Sequence, residues 1–216
     1  GPGHRNEDFD RLYEDCFGPP PRKGLANADP DRASAVLRDT LEYWAAGKTA
    51  ESLPPGSLLL LDGALRVSNQ NHEPVLAGIV KTAADRRLLL AAIAKRTRAT
   101  WGGGHPLLLA IRGLAEDYAV TGPWWVKIDP RLIDHTEYRQ GRHGDIYVAS
   151  LHGMVSRPLK MELPKGIGRD TIDATMAAIA ACAGDGRIPG YPYPLLDAHR
   201  MVAIGNELAD QIRQDL

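Results

Sequence analysis

The sequence predicts an α/β domain, or an α+β one, built on a mixed β-sheet flanked by helices. Three observations carry that expectation. Short apolar runs alternate with amphipathic ones along most of the chain. Leu58–Leu61 is an unbroken leucine run between Pro54-Pro55-Gly56 and Asp62-Gly63, the pattern of a strand buried on both faces. Two further strand candidates, Ile146–His152 and Leu159–Leu163, are joined by a turn at Gly153, which favours a partly antiparallel sheet.

The elements follow in order. Residues 1–4 (Gly-Pro-Gly-His) read as a protease-cleavage scar outside the fold. Residues 5–28 read as an N-terminal extension, with a short helix around Phe9–Cys16 and a loop through Pro19-Pro20-Pro21. The domain proper spans 29–216. Asp29 as N-cap and Pro30 at the first helical position open a helix. Its buried face is expected to be Val36, Leu37, Leu41, Trp44 and Ala45, and Pro54-Pro55-Gly56 stops it. The leucine strand comes next, expected at the centre of the sheet. Pro74–Lys81 reads as a second strand and Asp85–Arg98 as an amphipathic helix. Residues 100–106 read as a flexible loop, and Leu107–Leu114 fits either helix or strand. Trp124–Ile128 is a strand, and the polar stretch 129–144 a mobile loop. Asp170–Ala183 is an alanine-rich helix, Gly184–Pro194 a linker, and Pro194 opens a closing helix that runs to Asp215. No internal repeat is evident.

A chain of 216 residues, 44% of them hydrophobic, suffices for one domain with a sizeable core. A formal net charge of −1 excludes a uniformly basic nucleic-acid coat protein but leaves room for a local basic lining. Cations do cluster, at Arg86, Arg87, Lys95, Arg96 and Arg98 and again at Arg139, Arg142 and His143; a solvated surface is the ordinary reading of such clusters. Cys16 and Cys182 lie far apart and no CxxC or CxxH spacing occurs, which argues against a disulfide framework or structural zinc and fits a reducing cytoplasm. No apolar stretch reaches the roughly 18 residues of a membrane span, and no signal peptide precedes the fold.

Five residues are candidates for chemistry. Asp62 ends the leucine strand, where a sheet fixes a carboxylate at the crevice that binds ligands in open α/β sheets; as part of Asp-Gly it is equally a turn residue. Glu42 borders the apolar stripe of the preceding helix, and could be a flanking surface residue. His199 is spaced with Leu195 and Val202, so it is expected to point inward from the closing helix. An inward histidine is more often a core residue than a ligand, but Tyr191 of Tyr191-Pro192-Tyr193-Pro194 lies just upstream. Lys81 closes the expected second strand after Gly78-Ile79-Val80, where its ammonium would hold a phosphate as a point charge. No P-loop, dinucleotide fingerprint, HExxH or GxSxG is present, and Trp101-Gly102-Gly103-Gly104-His105 lacks the Lys-Ser/Thr of a P-loop.

Four segments in series resemble the NurA nuclease family: Leu58–Leu65 (LLLLDGAL), Gly78–Lys81 (GIVK), Glu162 within LKMELP, and Gly190–His199 (GYPYPLLDAH). The resemblance spans residues 36–216. It implies an RNase H-like fold whose carboxylate cluster binds Mn2+ (or Mg2+), with Asp62, Glu42 and His199 as metal ligands and Tyr191 at the same site. It also implies a homodimer that works with a HerA-type hexameric ATPase in processing DNA ends during recombination and double-strand-break repair. One departure stands out. The family opens with a strand ending in an Asp-Gly-Ser-like motif, and none of Asp8, Asp10, Asp15, Asp29, Asp31 or Asp39 follows an apolar strand. The expected reaction is phosphodiester hydrolysis by two divalent ions about 3.5–4 Å apart, which hard oxygen ligands suit. The alternative is a non-catalytic module of the same fold that docks on the ATPase ring and guides DNA. A nuclease acting on RNA is a third reading, since no residue reports on the 2′-hydroxyl.

Overall fold

The computed structural model describes residues 2–21, 30–134, 142–152, 157–184 and 188–202, with side chains of the first two helices from Asp10 and Ala35 onward. A five-stranded mixed sheet forms from β1 (Leu58–Asp62), β2 (Leu89–Ala94), β5 (Trp124–Ile128), β6 (Gly144–Ser150) and β7 (Leu159–Pro164). Its spatial order is β1-β2-β7-β6-β5; β1 and β2 are parallel, and every other neighbouring pair is antiparallel. Six helices surround it: α1 (Pro2–Phe17), α2 (Pro30–Ser52), α3 (Glu73–Asp85), α4 (Leu107–Asp117), α5 (Arg169–Ala181) and α6 (Tyr193–Met201). One sheet face packs Ala91, Ile93, Tyr147 and Met161 against α5 and α6. The other packs Leu59, Leu61, Leu90 and Ala92 against α2 and α3, and Ile146 and Val148 against α4. Among the described residues no helix is long and apolar enough to cross a membrane.

The mixed α/β architecture agrees with the sequence expectation; several elements do not. The leucine strand β1 lies at the edge of the sheet and not at its centre. Leu59 and Leu61 are buried while Leu58 and Leu60 are half-buried, so an unbroken leucine run conceals a one-sided alternation. The strand expected at Pro74–Lys81 is helix α3. Glu73-Pro74 supplies an acidic first turn with proline at its start, and Leu76, Ile79 and Ala83 bury one face at helical spacing. The helix expected at Asp85–Arg98 is instead the interior strand β2, second from the sheet edge. Its Leu-Leu-Ala-Ala-Ile-Ala sequence favours helix by propensity, but burial on both faces overrides this, with Leu90 through Ile93 all buried.

Helix α2 is rotated from its expected orientation. The buried residues are Val36, Thr40, Tyr43, Ala46 and Ala50, whereas Leu37, Leu41 and Trp44 are exposed. Thr40 can enter the core because its hydroxyl is satisfied: it donates to the Val36 carbonyl and bonds His72 Nε2, each at 2.8 Å. Hydrophobic spacing alone cannot register a polar residue that has found a partner. Helix α1 is longer than expected and is no loose extension, because buried Tyr13 donates to the Asn71 carbonyl at 2.6 Å. The expected loop 100–106 contains a small hairpin, β3 (Thr100–Trp101) and β4 (His105–Pro106). Its turn needs Gly102, Gly103 and Gly104, whose φ values are 61, 86 and 100°. Leu107–Leu114 resolves as helix, and β5–β7 and α5 lie where expected. The turn at Gly153, residues 135–141 of the expected loop 129–144 and the closing helix beyond Val202 lie outside the described residues.

Candidate active site

Asp62 takes its position from the end of β1. Leu89 N–H donates to the Ser57 carbonyl and Gly63 N–H to the Ile93 carbonyl, both at 2.8 Å. Odd-numbered residues of this strand thus turn their backbone groups towards β2, and those of Leu58, Leu60 and Asp62 face the open edge. Helix α2 presents Glu42 near that end of the strand, within electrostatic reach of Asp62. The Glu42 carboxyl is pushed up to about 7, first by burial and then by the charges of Asp39 and Asp62; Arg38 and the Asp62 N–H act in the opposite sense. The two carboxylates are therefore close enough to repel, one half-buried and one exposed.

Tyr191 reaches the same place from the other sheet face. A turn after α5 is tied down by Gly190 N–H to the Ala183 carbonyl at 2.9 Å and Tyr193 N–H to the Cys182 carbonyl at 2.8 Å. Tyr191 is 4% exposed, yet its hydroxyl has no hydrogen-bond partner among the described residues. Its pKa is pushed up to about 12, by burial first and then by the charge of Asp62, so the phenol keeps its proton. Lys95, just past the end of β2, carries its ammonium 4.2 Å from the centre of the Tyr191 ring.

Asp62, Glu42 and Tyr191 are thus brought together, and two other candidates are not. Lys81 lies exposed on α3 and pairs with Asp85 one turn on, because the segment is helical and does not end a strand at the crevice. His199 is exposed. Leu195 and Leu196 anchor α6, but by its last turn the helix has passed the sheet, and Met201 and Val202 are 82% and 75% exposed. Among the described residues no three His, Cys, Asp or Glu side chains converge to hold an ion, so the expected ligand set of Asp62, Glu42 and His199 is not assembled.

Two features escaped the sequence reading. Lys95 is one; its signal was its place as the first polar residue after the apolar run 88–94. The other is a buried charge cluster beneath the site. Glu162 on β7 is fully buried and pairs with Arg142 and, at 2.5 Å, with Lys160. Its second oxygen accepts the Leu65 N–H at 3.0 Å, which pins the chain leaving Asp62 across the sheet. The signal was two charges, Lys160 and Glu162, at alternate positions of an apolar strand and so on one face. Gly144 lets this cluster form: a Cβ there would lie 2.9 Å from the Glu162 Cβ.

The chain matches the family model described as the NurA domain over residues 5–204. Its fold is similar to the crystal structure of the NurA nuclease from Sulfolobus solfataricus, with a TM-score of 0.56 and 16% sequence identity, covering 89% of this chain and 69% of that one. No curated protein matches the sequence.

Proposed function

The chain belongs to the NurA domain family, and from that premise we propose that it is a metal-dependent deoxyribonuclease acting at DNA ends. The observation that carries this reading is the meeting of Asp62, Glu42 and the unpartnered Tyr191 hydroxyl where the parallel strands β1 and β2 end. The fold shared with a NurA nuclease supports it, and the reading takes the sheet to be RNase H-like.

The donor chemistry fits Mn2+ or Mg2+. Magnesium is held by one or two carboxylates together with water and substrate phosphate, and two carboxylates that repel each other are what Asp62 and Glu42 offer. When bound, the ion supplies an activated water and neutralises charge on the phosphate. The chain's own groups do the rest. Asp62 is fixed by strand pairing, and Glu42 releases its proton near neutrality as a cation binds. Tyr191 keeps its proton and so presents a hydrogen-bond donor to a phosphate oxygen. Family membership also supports a homodimer, a HerA-type hexameric ATPase as partner, and a place in the cytoplasm.

The absence of a third ligand among the described residues favours a second reading, a module that guides DNA on the ATPase ring without cutting it. One assay separates the two. Mn2+-dependent cleavage of a labelled oligonucleotide by the chain, abolished by Asp62→Ala, supports the nuclease. Binding without cleavage, or cleavage indifferent to Asp62→Ala, overturns it.

A further inference from the structure

Strands β1 and β2 end together, with Asp62 beside Ile93, and Lys95 stands two residues further along β2's path. Its ammonium lies over the Tyr191 ring, 4.2 Å from the centre. That contact holds an otherwise exposed side chain beside the carboxylates without joining it to them: Lys95 makes no ion pair among the described residues. Exposed Lys165 likewise makes no ion pair among the described residues, but it stands beyond the end of β7; four other lysines are paired. Lys48 pairs with Glu51, Lys81 with Asp85, Lys127 with Asp145 and Lys160 with Glu162. The arginines that follow Lys95, Arg96 and Arg98, are exposed and likewise make no ion pair among the described residues.

A positive charge held over Tyr191, whose titration Asp62 affects, and not paired with either carboxylate gives this end of the sheet groups of opposite demand. One calls for an anion and the others for a cation or a hydrogen-bond donor. A phosphodiester beside a divalent ion meets both. A stacked base does not, because Tyr191 is buried and Lys95 already lies over its ring. The sequence reading gave this part to Lys81 of Ile79-Val80-Lys81; Ile93-Ala94-Lys95 has the same spacing and is the one that ends a strand. We propose that Lys95 binds the phosphate of the strand being cut, and that Arg96 and Arg98 continue the track along the next phosphates. This rests on the nuclease reading for the word "cut", but phosphate binding by Lys95 is testable without it.

The test compares Lys95→Met and Lys95→Arg with the wild-type chain in two measurements. Binding of a fluorescein-labelled single-stranded oligonucleotide is followed by anisotropy in EDTA at salt concentrations from about 50 to 200 mM. Cleavage of the same oligonucleotide is then followed with Mn2+. Lys95→Met is expected to flatten the dependence of log K on log salt by about 0.7, the loss of one phosphate contact on a single strand. It is expected to slow cleavage about 10- to 100-fold, with Lys95→Arg restoring the salt slope. Lys95 is exposed, so an unchanged melting temperature removes unfolding as the cause. An unchanged slope together with unchanged cleavage overturns the proposal. Asp62→Ala keeps the two readings apart: it should abolish cleavage and leave the slope alone. A chain that never cleaves, yet loses slope in Lys95→Met, retains Lys95 as a phosphate contact and refutes only the nuclease.

Discussion

The carboxyl of Glu42 on helix α2 lies close enough to Asp62, at the end of β1, for the two acids to repel. Two acids are thereby held together at a cost to the fold. The Glu42 pKa in the folded chain, about 7, lies above the ordinary value of 4.5, so the folded state binds more protons across that interval. The cost is absent below the ordinary value, grows as pH rises between the two, and is complete above the higher one. In metal-free buffer at pH 8, Glu42→Gln is expected to stabilise the chain by about 1–2 kcal/mol after allowance for solvent screening, because a neutral side chain of the same shape removes the repulsion from Asp39 and Asp62. Denaturant melts check this. An advantage that persists undiminished at pH 4 contradicts the assignment.

The same pair makes a prediction about metal. If Asp62 and Glu42 hold Mn2+, the ion stabilises the folded chain, by about 2.7 kcal/mol when present at a hundredfold excess over its dissociation constant. Thermal scans with and without Mn2+ are expected to show the shift in the wild-type chain and none in Asp62→Ala. An equal shift in both would place the ion elsewhere.

Tyr191 separates stability from activity. Its hydroxyl is buried without a partner among the described residues, so removing it forfeits no hydrogen bond to them. Tyr191→Phe is expected to match or slightly exceed the wild-type stability, within about 1 kcal/mol. Because the hydroxyl would find its acceptor on the substrate, the same variant is expected to lower kcat of DNA cleavage by at least about tenfold with little change in KM. A loss of stability with unchanged kcat would make the tyrosine a core residue and nothing more.

What was legible in the sequence was set by periodicity, and what was not was set by pairing. The strands around Trp124, Ile146 and Leu159 and the helix at Asp170 declared themselves. Asp62 and Tyr191 stood out because each is a polar residue ending an apolar segment or following a turn. The exchange of strand and helix between 74 and 98 arose because a strand covered on both faces is uniformly apolar, as a buried helix segment is. Lys95 was hidden by that same exchange: on a helix it would have been one cation in a solvated row. Glu162 stayed unassigned because the partners that make its burial tolerable, Arg142 and the Leu65 N–H, are remote in the chain.

That buried cluster makes its own prediction. Glu162→Ala removes the carboxylate that Arg142 and Lys160, with side chains 3% and 4% exposed, share, and also frees the Leu65 N–H. Leaving a buried charge uncompensated costs about 3–5 kcal/mol. Gly144→Ala drives a methyl against the Glu162 Cβ, which no flexible side-chain end can relieve, and is expected to cost about 1–3 kcal/mol. Both variants are expected to impair cleavage through the displaced loop after Asp62. Chemical denaturation of the two proteins checks the order, with Glu162→Ala the less stable.

His72 supplies the acid limit of stability. Its ring is fully buried between Tyr13 and Tyr43, with Nε2 bonded to Thr40 and Nδ1 without a partner. Burial lowers its pKa, partly opposed by the charge of Asp39. In the folded chain the imidazole is therefore neutral where the unfolded chain has begun to protonate. Stability tied to this histidine is full above its ordinary pKa of 6.5 and falls as pH drops below it, because the unfolded state then binds the extra proton. The slope approaches one proton, or about 1.4 kcal/mol per pH unit. His72→Gln should lower stability at pH 8, since it disturbs the Thr40 bond and the ring packing, and it should remove most of the decline between pH 6.5 and 5. Denaturant midpoints of both proteins across that range decide the matter: parallel pH profiles would acquit His72 and assign the acid sensitivity to the carboxylates.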